Sequence, residues 1–455
     1  MMRTWKLSIT VMVVMLIMTW ASVSFGAVSP EDAAKLGATL TGVGAEMAGN
    51  KDGTIPPYTG GLTKPPANYK PGSGVCPNPF PAEKPVFSIN AQNMSQYADK
   101  LTEGTKAMMK KYPTYRIDVY KTHRTAALPD FVLKNTLKNS VKATTANGGL
   151  SVRGAHAGIP FPIPKDGYEA MWNHLMRYQG RALEYRMLNY NIDSFGKVIL
   201  SASVLAFQEW PYYDDDLTRY DSETYWKAMW FYDNPPRKAG EGLILIDPVN
   251  MYEKGRVAYQ YLPGQRRVKL APEIGFDTPD GGTSGNGTYD EGYQFNGSME
   301  RYNMKLIGKK EFYVPYNTYK ATFEAKVNEV FWKKYLNPDV VRWELHRMWI
   351  VEATLKPGKR HIYPKRRFYL DEDSWYALAG ENYDARGFLY TCSFLYNLQS
   401  YNMPSPSAWF YSAHNLIADK YAVSAWPGPD GYVRMIEPRP ERYWTPQTLA
   451  GMGVR

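Results

Sequence analysis

Hydrophobic and polar residues alternate along most of the chain after residue 181, which is typical of β-strands that have one buried and one wet face. Short turn sequences such as Pro357-Gly358 separate these runs, so consecutive strands are expected to pair as antiparallel neighbours. The clearest hairpin is residues 256–270, in which Pro263-Gly264 stands between two strand-like runs. Further strands are predicted at 182–191, 198–210, 226–232, 242–246, 305–314, 343–355, 360–370, 375–382 and 387–396.

Helical patterns are confined to the first part of the chain. Ser29 followed by Pro30 is a helix start, and this helix is predicted to reach about Leu40. Apolar residues recur at helical spacing in residues 91–112, and again in residues 168–178. These two helices need an apolar surface to cover, so we expect them to lie across a sheet.

The arm between the first helix and the body is rich in glycine and proline. Residues 49–85 contain few apolar side chains, which predicts an extended segment that packs over the body through its aromatic residues. We therefore predict an N-terminal helix and arm at 28–90 and a single domain with inserted loops at 91–455. The glycine-rich stretch 279–287 has no strand before it and no helix after it, so it is predicted to be a flexible surface loop rather than a phosphate cradle.

Residues 1–27 have the layout of a secretory signal peptide. Arg3 and Lys6 precede an apolar run, and small residues follow it at Gly26 and Ala27, where cleavage is expected. A retained membrane anchor is the alternative, but the apolar run is short for a span and contains polar residues. The mature protein is expected to be periplasmic if its source has two membranes.

Charge and cysteine content exclude some classes of partner and site. The formal charge of +10 is spread over the whole chain, so it does not indicate a nucleic-acid partner. Cys76 and Cys392 are the two cysteines, and in an oxidising compartment they could form one disulfide or remain buried free thiols. Two cysteines are too few for a thiolate-rich metal site.

No catalytic arrangement is found in the sequence. The six histidines are scattered without metal-ligand spacing, and there is no Gly-x-Ser-x-Gly motif. The acidic runs 214–216 and 371–373 could bind calcium or provide a carboxylate pair, but both fall in predicted turns, where aspartate has a structural role. We therefore predict no enzyme activity, no catalytic residue, no metal and no cofactor.

Aromatic residues make up 15% of the chain, including 36 tyrosines and 13 tryptophans. Tyrosine and tryptophan carry an apolar body and a polar tip, so they suit a groove that binds a greasy ligand. The alternative is a large β core, since aromatic residues favour strands.

Several ordered motifs resemble the family called domain of unknown function 1329. Two of them are residues 261–267 (Tyr-Leu-Pro-Gly-Gln-Arg-Arg) and 366–373 (Arg-Arg-Phe-Tyr-Leu-Asp-Glu-Asp). The others are at 50–56, 59–62, 158–164, 173–175, 295–298, 314–317, 342–347 and 359–363. That family is described as similar to the outer-membrane lipoprotein-sorting proteins LolA and LolB. The resemblance implies an α+β fold that is mainly β, an incomplete antiparallel β-barrel with helices covering its concave face.

The resemblance also implies a function. It points to a periplasmic carrier or chaperone, expected to be a monomer, that binds a lipid or other hydrophobic molecule and works with an outer-membrane β-barrel protein and a permease of the resistance-nodulation-division type. Alternatives are a docking factor for envelope assembly, and a hydrolase. We expect the groove to be lined by side chains from one sheet face and from the two predicted lid helices. These residues are Tyr259, Tyr261, Trp349, Val351, Met109, Trp172 and Met176.

Overall fold

The computed structural model describes residues 28–214 and 223–453. The predicted signal peptide, together with Asp215 and Asp216, therefore lies outside the described residues. Among the described residues, no helix combines the length and the apolar character needed to cross a membrane. The α-helices are α1 (Pro30–Ala33), α2 (Glu103–Lys111), α3 (Asp130–Lys142), α4 (Gly167–Leu175), α5 (Val327–Val330) and α6 (Pro446–Gly453).

Strands dominate the rest of the described chain. They are β1 (Phe87–Asn90), β2 (Arg116–Val119), β3 (Thr144–Ala146), β4 (Ser151–Arg153), β5 (Ala182–Ile192), β6 (Val198–Glu209), β7 (Thr224–Asn234), β8 (Gly242–Pro248), β9 (Val257–Leu262), β10 (Arg267–Leu270), β11 (Tyr302–Pro315), β12 (Arg342–Leu355), β13 (Lys365–Asp371), β14 (Ala377–Tyr383), β15 (Leu389–Ser400), β16 (Ser405–Asn415), β17 (Lys420–Trp426) and β18 (Val433–Met435). The predicted hairpin is confirmed, since β9 and β10 pair antiparallel around a turn at Pro263–Gln265.

Sixteen of these strands form one open sheet. The order is β1-β2-β12-β13-β14-β15-β16-β17-β5-β6-β7-β8-β9-β10, with β11 also paired to β12 and β18 also paired to β5. Neighbours are antiparallel except for a short parallel contact between β2 and β12. The prediction of a mainly β chain with a few helices, whose sheet does not close into a barrel, is confirmed.

Both faces of the sheet carry buried apolar clusters. Successive residues of a strand point to opposite faces, so neighbouring residues belong to different clusters. On β8, Leu243 and Leu245 belong to one large apolar cluster, whereas Ile244 belongs to another. We name the side of the large cluster the first face. The second face carries two smaller clusters, one around Tyr369 on β13 and one around Ile244.

Different helices cover the two faces. Trp172 of α4 and Val132 of α3 belong to the cluster of the first face. Met109 of α2 packs in one cluster of the second face, and Leu449 of α6 packs in the other. The two predicted lid helices, α2 and α4, therefore lie on opposite faces, and the prediction that they cover the same face is wrong.

Helix lengths also differ from the sequence-based expectation. The first helix ends at Ala33 rather than near Leu40. Residues 91–112 divide into a 3-10 segment and α2, because Leu101 is extended and the side chain of Thr102 caps the new helix start.

The two cysteines are both free thiols, and both are buried. Cys76 lies in the cluster of the first face, 3.8 Å from the hydroxyl of Ser400, whereas Cys392 lies on the second face beneath α2. Ser400 is eight residues along β15 from Cys392, roughly 26 Å away at strand spacing. The possible disulfide is therefore not formed, because the sulfur atoms are far beyond bonding distance.

Candidate functional site

The structure divides the seven predicted groove residues among three apolar clusters. Trp172, Met176, Trp349 and Val351 lie together on the first face. Met109 lies on the second face under α2, and Tyr259 and Tyr261 pack on the second face near α6. The hairpin tyrosines therefore do not share a surface with Trp349. None of the seven lines either of the two interior cavities described next.

The larger of two adjoining interior cavities, which we name the main cavity, lies between the first face and the segment that connects β10 to β11. We name residues 271–300 the covering segment. The cavity has a volume of about 50 Å³. Its walls come from β5, β7, β8, β16, β17 and the covering segment, and most of them are aromatic or apolar. The aromatic wall residues are Tyr185, Trp230, Tyr232, Tyr289, Tyr293 and Tyr411.

A second cavity of about 20 Å³ adjoins the first. Tyr293 and Asn296 border both spaces, so these two side chains separate them. The second space is more polar, because Arg177, Gln179 and Gln208 line it. Together the two cavities form an aromatic interior with one polar end.

The second half of the covering segment is anchored by a buried arginine. Arg366 on β13 donates to Asp290 at 2.9 Å and to the carbonyl oxygen of Gln294 at 3.0 Å. His361 also contacts Asp290, at 3.0 Å. The positive charge of Arg366 holds the pKa of Asp290 well below its ordinary value despite burial. A buried ion pair of this kind fixes the position of the segment, because breaking it would leave an unpaired charge buried away from water.

Residues 279–288 of the covering segment are held lightly, whereas Asp277 just before them pairs with Arg301 at 2.9 Å. Gly282 accepts a hydrogen bond from the side chain of Asn189 at 3.3 Å, and Asn286 donates to Asn191 at 2.7 Å. Other hydrogen bonds of this stretch close its own turns, for example from Gly282 N to the carboxylate of Asp280 at 2.8 Å. Gly282 and Thr283 are buried against β5, whereas Pro279, Ser284 and Gly285 are exposed, so the stretch is a surface loop with one side packed on the sheet.

A strained piece of backbone lies within the anchored part of the covering segment. Tyr293 and Gln294 both have positive φ, at 51° and 81°. This conformation is unfavourable for side chains other than glycine and is kept only when the surroundings impose it. Arg177 lies 5.8 Å from the ring of Tyr293, and Tyr411 packs against that ring on another side.

One carboxyl group lines the main cavity. Burial raises the pKa of Asp280 to about 6, while its hydrogen bond from Gly282 N and the charge of Lys238 oppose that rise. Burial also raises the pKa of Tyr232 and Tyr289 in the same wall. The wall is thus aromatic and uncharged below the pKa of Asp280.

The acidic turn at residues 371–373 forms a buried ionic cluster elsewhere in the fold. One ligand-type atom from each of His346, Asp371 and Asp373 lies within 4.8 Å of the others. Arg124 occupies both oxygens of Asp373, at 2.6 and 2.8 Å, so this carboxylate is not free to bind a cation. Burial, followed by repulsion from Asp373, raises the pKa of Asp371 to about 7.

This ionic cluster and the adjacent Trp375 tie residues 43–48, which lead into the N-terminal arm, to the sheet. Arg347 contacts Glu372 at 3.1 Å and donates to the carbonyl oxygen of Ala48 at 3.0 Å. Trp375 likewise donates to the carbonyl oxygen of Val43 at 3.0 Å. These contacts agree with the prediction that the acidic residues 371–373 have a structural role.

Sequence reasoning missed the covering segment as part of the site. The available signal was its density of aromatic and acidic residues, 289–295, directly after the glycine-rich stretch. An exposed loop would have no need for Tyr289, Tyr293 and Phe295 so close together.

Comparisons with known proteins agree with the resemblance noted in the sequence. An uncharacterized protein, PA3922 of Pseudomonas aeruginosa, is 38% identical over 436 residues, which cover 94% of this chain and 95% of that protein. A solved DUF1329 family protein from Desulfovibrio piger has 15% identity and a TM-score of 0.39, covering 59% of this chain and 91% of its own. A LolA superfamily protein from Nitrosomonas europaea has 9% identity and a TM-score of 0.37, covering 63% of this chain and 100% of its own. The model of the family described as protein of unknown function (DUF1329) matches residues 88–450, and the chain therefore belongs to that family.

Proposed function

We propose that this protein is a periplasmic carrier that binds a lipid or another hydrophobic molecule between the first face of its sheet and the covering segment. The observation that carries the proposal is an aromatic interior covered by a segment in which residues 279–288 are lightly held between two anchored residues, Asp277 and Asp290. A binding role of this kind uses no catalytic group, which agrees with the predicted absence of enzyme activity.

Binding of a ligand, as well as its release, requires the covering segment to move. Cavities that hold small ligands have volumes of roughly 300–1,000 Å³, and this interior is several times smaller. Lifting residues 279–288 would break few hydrogen bonds to the sheet, while Arg301 would keep Asp277 in place and Arg366 would keep Asp290 in place. Residues 279–288 would then act as a lid between these two fixed residues.

The energetic reason for a carrier is the cost of exposing an alkyl chain to water. Each methylene group passed through water costs about 0.8 kcal/mol, so a long chain does not cross an aqueous space unaided. A sheltered aromatic groove removes most of that cost. We also propose that the carrier exchanges its bound molecule with an outer-membrane β-barrel protein and with a permease of the resistance-nodulation-division type.

A reversible lock on the lid tests the proposal. Asn191 and Asn286 are in side-chain contact, so Asn191→Cys combined with Asn286→Cys places one thiol on β5 and one on residues 279–288. The probe is N-phenyl-1-naphthylamine, whose fluorescence rises in an apolar site. We expect the oxidised variant to bind at least about tenfold more weakly than the same protein after reduction.

The reduced double variant is the matched control, because it has the same sequence. Each single cysteine variant should bind the probe equally well with and without reductant. Equal binding by the oxidised and reduced double variant, with the disulfide verified by mass, would contradict the proposal. Absence of probe binding by the reduced and wild-type proteins would contradict it as well.

A further inference from the structure

Three neighbouring hairpins of the sheet end in turns that each expose one large apolar side chain. The turns join β5 to β6, β14 to β15 and β16 to β17, and the strand register places all three at the same end of the sheet. Phe195 is 84% exposed, Phe388 62% and Ile417 61%. Single exposed apolar residues are common, but three at adjacent tips mark an interaction surface. We name these three turns the hairpin-tip patch.

Each turn holds its apolar residue in place with a side-chain cap. The carboxylate of Asp193 accepts from Phe195 N at 2.9 Å, and that of Asp384 accepts from Phe388 N at 3.0 Å. The amide oxygen of Asn415 accepts from Ile417 N at 3.1 Å. Because the turns are already ordered, docking through them loses little conformational entropy.

An aromatic groove continues the patch on one side. Lys334 donates to the carbonyl oxygen of Ser194 at 2.7 Å, which ties residues 332–335 to the turn of Phe195. Trp332, 36% exposed, borders an open groove of about 500 Å³ together with Tyr112 and Tyr335. Tyrosine and tryptophan favour the boundary between an apolar and an aqueous phase.

The patch and its surroundings carry excess positive charge. The acidic residues are engaged in the local structure, since Asp193 and Asp384 cap their turns and Asp419 accepts from Lys334. Against these three acidic residues, the turns and the adjoining segments contain seven basic residues, of which Arg386 pairs with Asp384, and Lys111 as well as Lys334 pairs with Asp419. The seven are Lys110, Lys111, Lys197, Lys333, Lys334, Arg386 and Lys420. This distribution attracts an anionic partner.

We propose that the hairpin-tip patch docks the protein on a bilayer surface that contains anionic phospholipid, with Phe195, Phe388 and Ile417 inserted among the headgroups. Neighbouring hairpins lie roughly 10 Å apart, since each spans two strand spacings. The three side chains are thus separate points rather than one continuous groove. A bilayer accepts separate points, whereas a protein would need a matching pocket for each. The inference goes beyond the carrier proposal and does not depend on the cavity.

Vesicle sedimentation tests this surface. Wild-type protein is mixed with phosphatidylglycerol-containing vesicles or with pure phosphatidylcholine vesicles. We expect binding to the anionic vesicles that weakens with added salt, and a loss of at least about tenfold in affinity in the Phe195→Ser, Ile417→Ser double variant. The matched control is the Tyr252→Ser, Leu270→Ser double variant, which removes two exposed apolar residues away from the tips and should bind like wild type.

Urea unfolding of both double variants establishes that they are folded before the comparison. Absence of wild-type binding to the anionic vesicles would overturn the inference, and so would equal losses in the two double variants. A tip variant that keeps vesicle binding but no longer captures an envelope protein would also overturn it, in favour of a protein partner. Because the lid-lock experiment uses a soluble probe, failure at the vesicles leaves the carrier proposal standing, and the reverse is also true.

Discussion

At the scale of single residues, Asp280 gives the cavity wall a dependence on pH. Burial raises its pKa from 3.8 to about 6, so folding favours the protonated carboxyl. The protonated carboxyl of Asp280 therefore contributes to the free energy of unfolding. This contribution is fully present below about pH 3.8 and is lost as the pH rises through about 6. At neutral pH the cavity wall therefore contains a carboxylate that the fold disfavours, next to residues that the lid must release.

The substitution Asp280→Asn isolates this effect. Asparagine keeps an oxygen that can accept from Gly282 N, but it does not titrate. We expect the free energy of unfolding of wild type to fall relative to the variant between about pH 4 and pH 6, by up to about 3 kcal/mol. Urea unfolding of both proteins across this range measures the difference. A difference that does not change with pH would show that Asp280 is not protonated by the fold.

At the scale of elements, the covering segment depends on Arg366 for its anchor. This guanidinium is buried and contacts Asp290, Gln294 and Asn382. Its neighbour Arg367 points to the other face of β13 and makes a partly exposed ion pair with Glu352. The two arginines are adjacent in sequence but differ in burial, which makes them a matched pair.

Removing each guanidinium measures the anchor. Arg366→Met leaves Asp290 buried without its cation and should lower the free energy of unfolding by about 3–5 kcal/mol. Arg367→Met should lower it by less than about 1 kcal/mol, because its ion pair is screened by solvent. Chemical denaturation of the two variants gives both values. Similar losses from the two substitutions would argue against a special role for Arg366.

The elements were predictable where a local pattern decides them. Pro263-Gly264 fixes a hairpin between β9 and β10, and alternation locates β5 to β8 and β11 to β15 within a few residues. Helix α3 and strands β16 and β17 were missed. Residues 405–415 mix small polar and aromatic residues without clear alternation, so their pairing with β15 depends on contacts distant in sequence.

The candidate site was predictable only in part, because both faces of the sheet are buried. Alternation separates Tyr259 and Tyr261 from their neighbours but does not say which face receives a ligand and which receives α6. The packing of the glycine-rich stretch on the sheet was not predicted because it depends on Asn189 and Asn191, nearly a hundred residues earlier. Such long-range contacts leave no mark in the local sequence.

At the scale of the whole molecule, an open sheet is covered differently on its two faces. The second face is sealed by α2 and α6, and residues 43–48 are held by the ionic cluster at residues 371–373 and by Trp375. The first face carries the aromatic interior and the covering segment. Exposed hairpin tips lie at one end of the same sheet. In the proposed function, the first face holds the ligand beside the largest apolar cluster, whereas the second face is covered by helices.

The most direct test of the central claim is native mass spectrometry of the full-length protein purified from its own host. The account predicts a bound hydrophobic molecule that is lost in Leu245→Trp, which fills the main cavity, and retained in Leu205→Trp, which adds the same side chain on the second face. Repeated recovery of wild-type protein without any bound molecule would contradict the account, as would equal retention by the two variants.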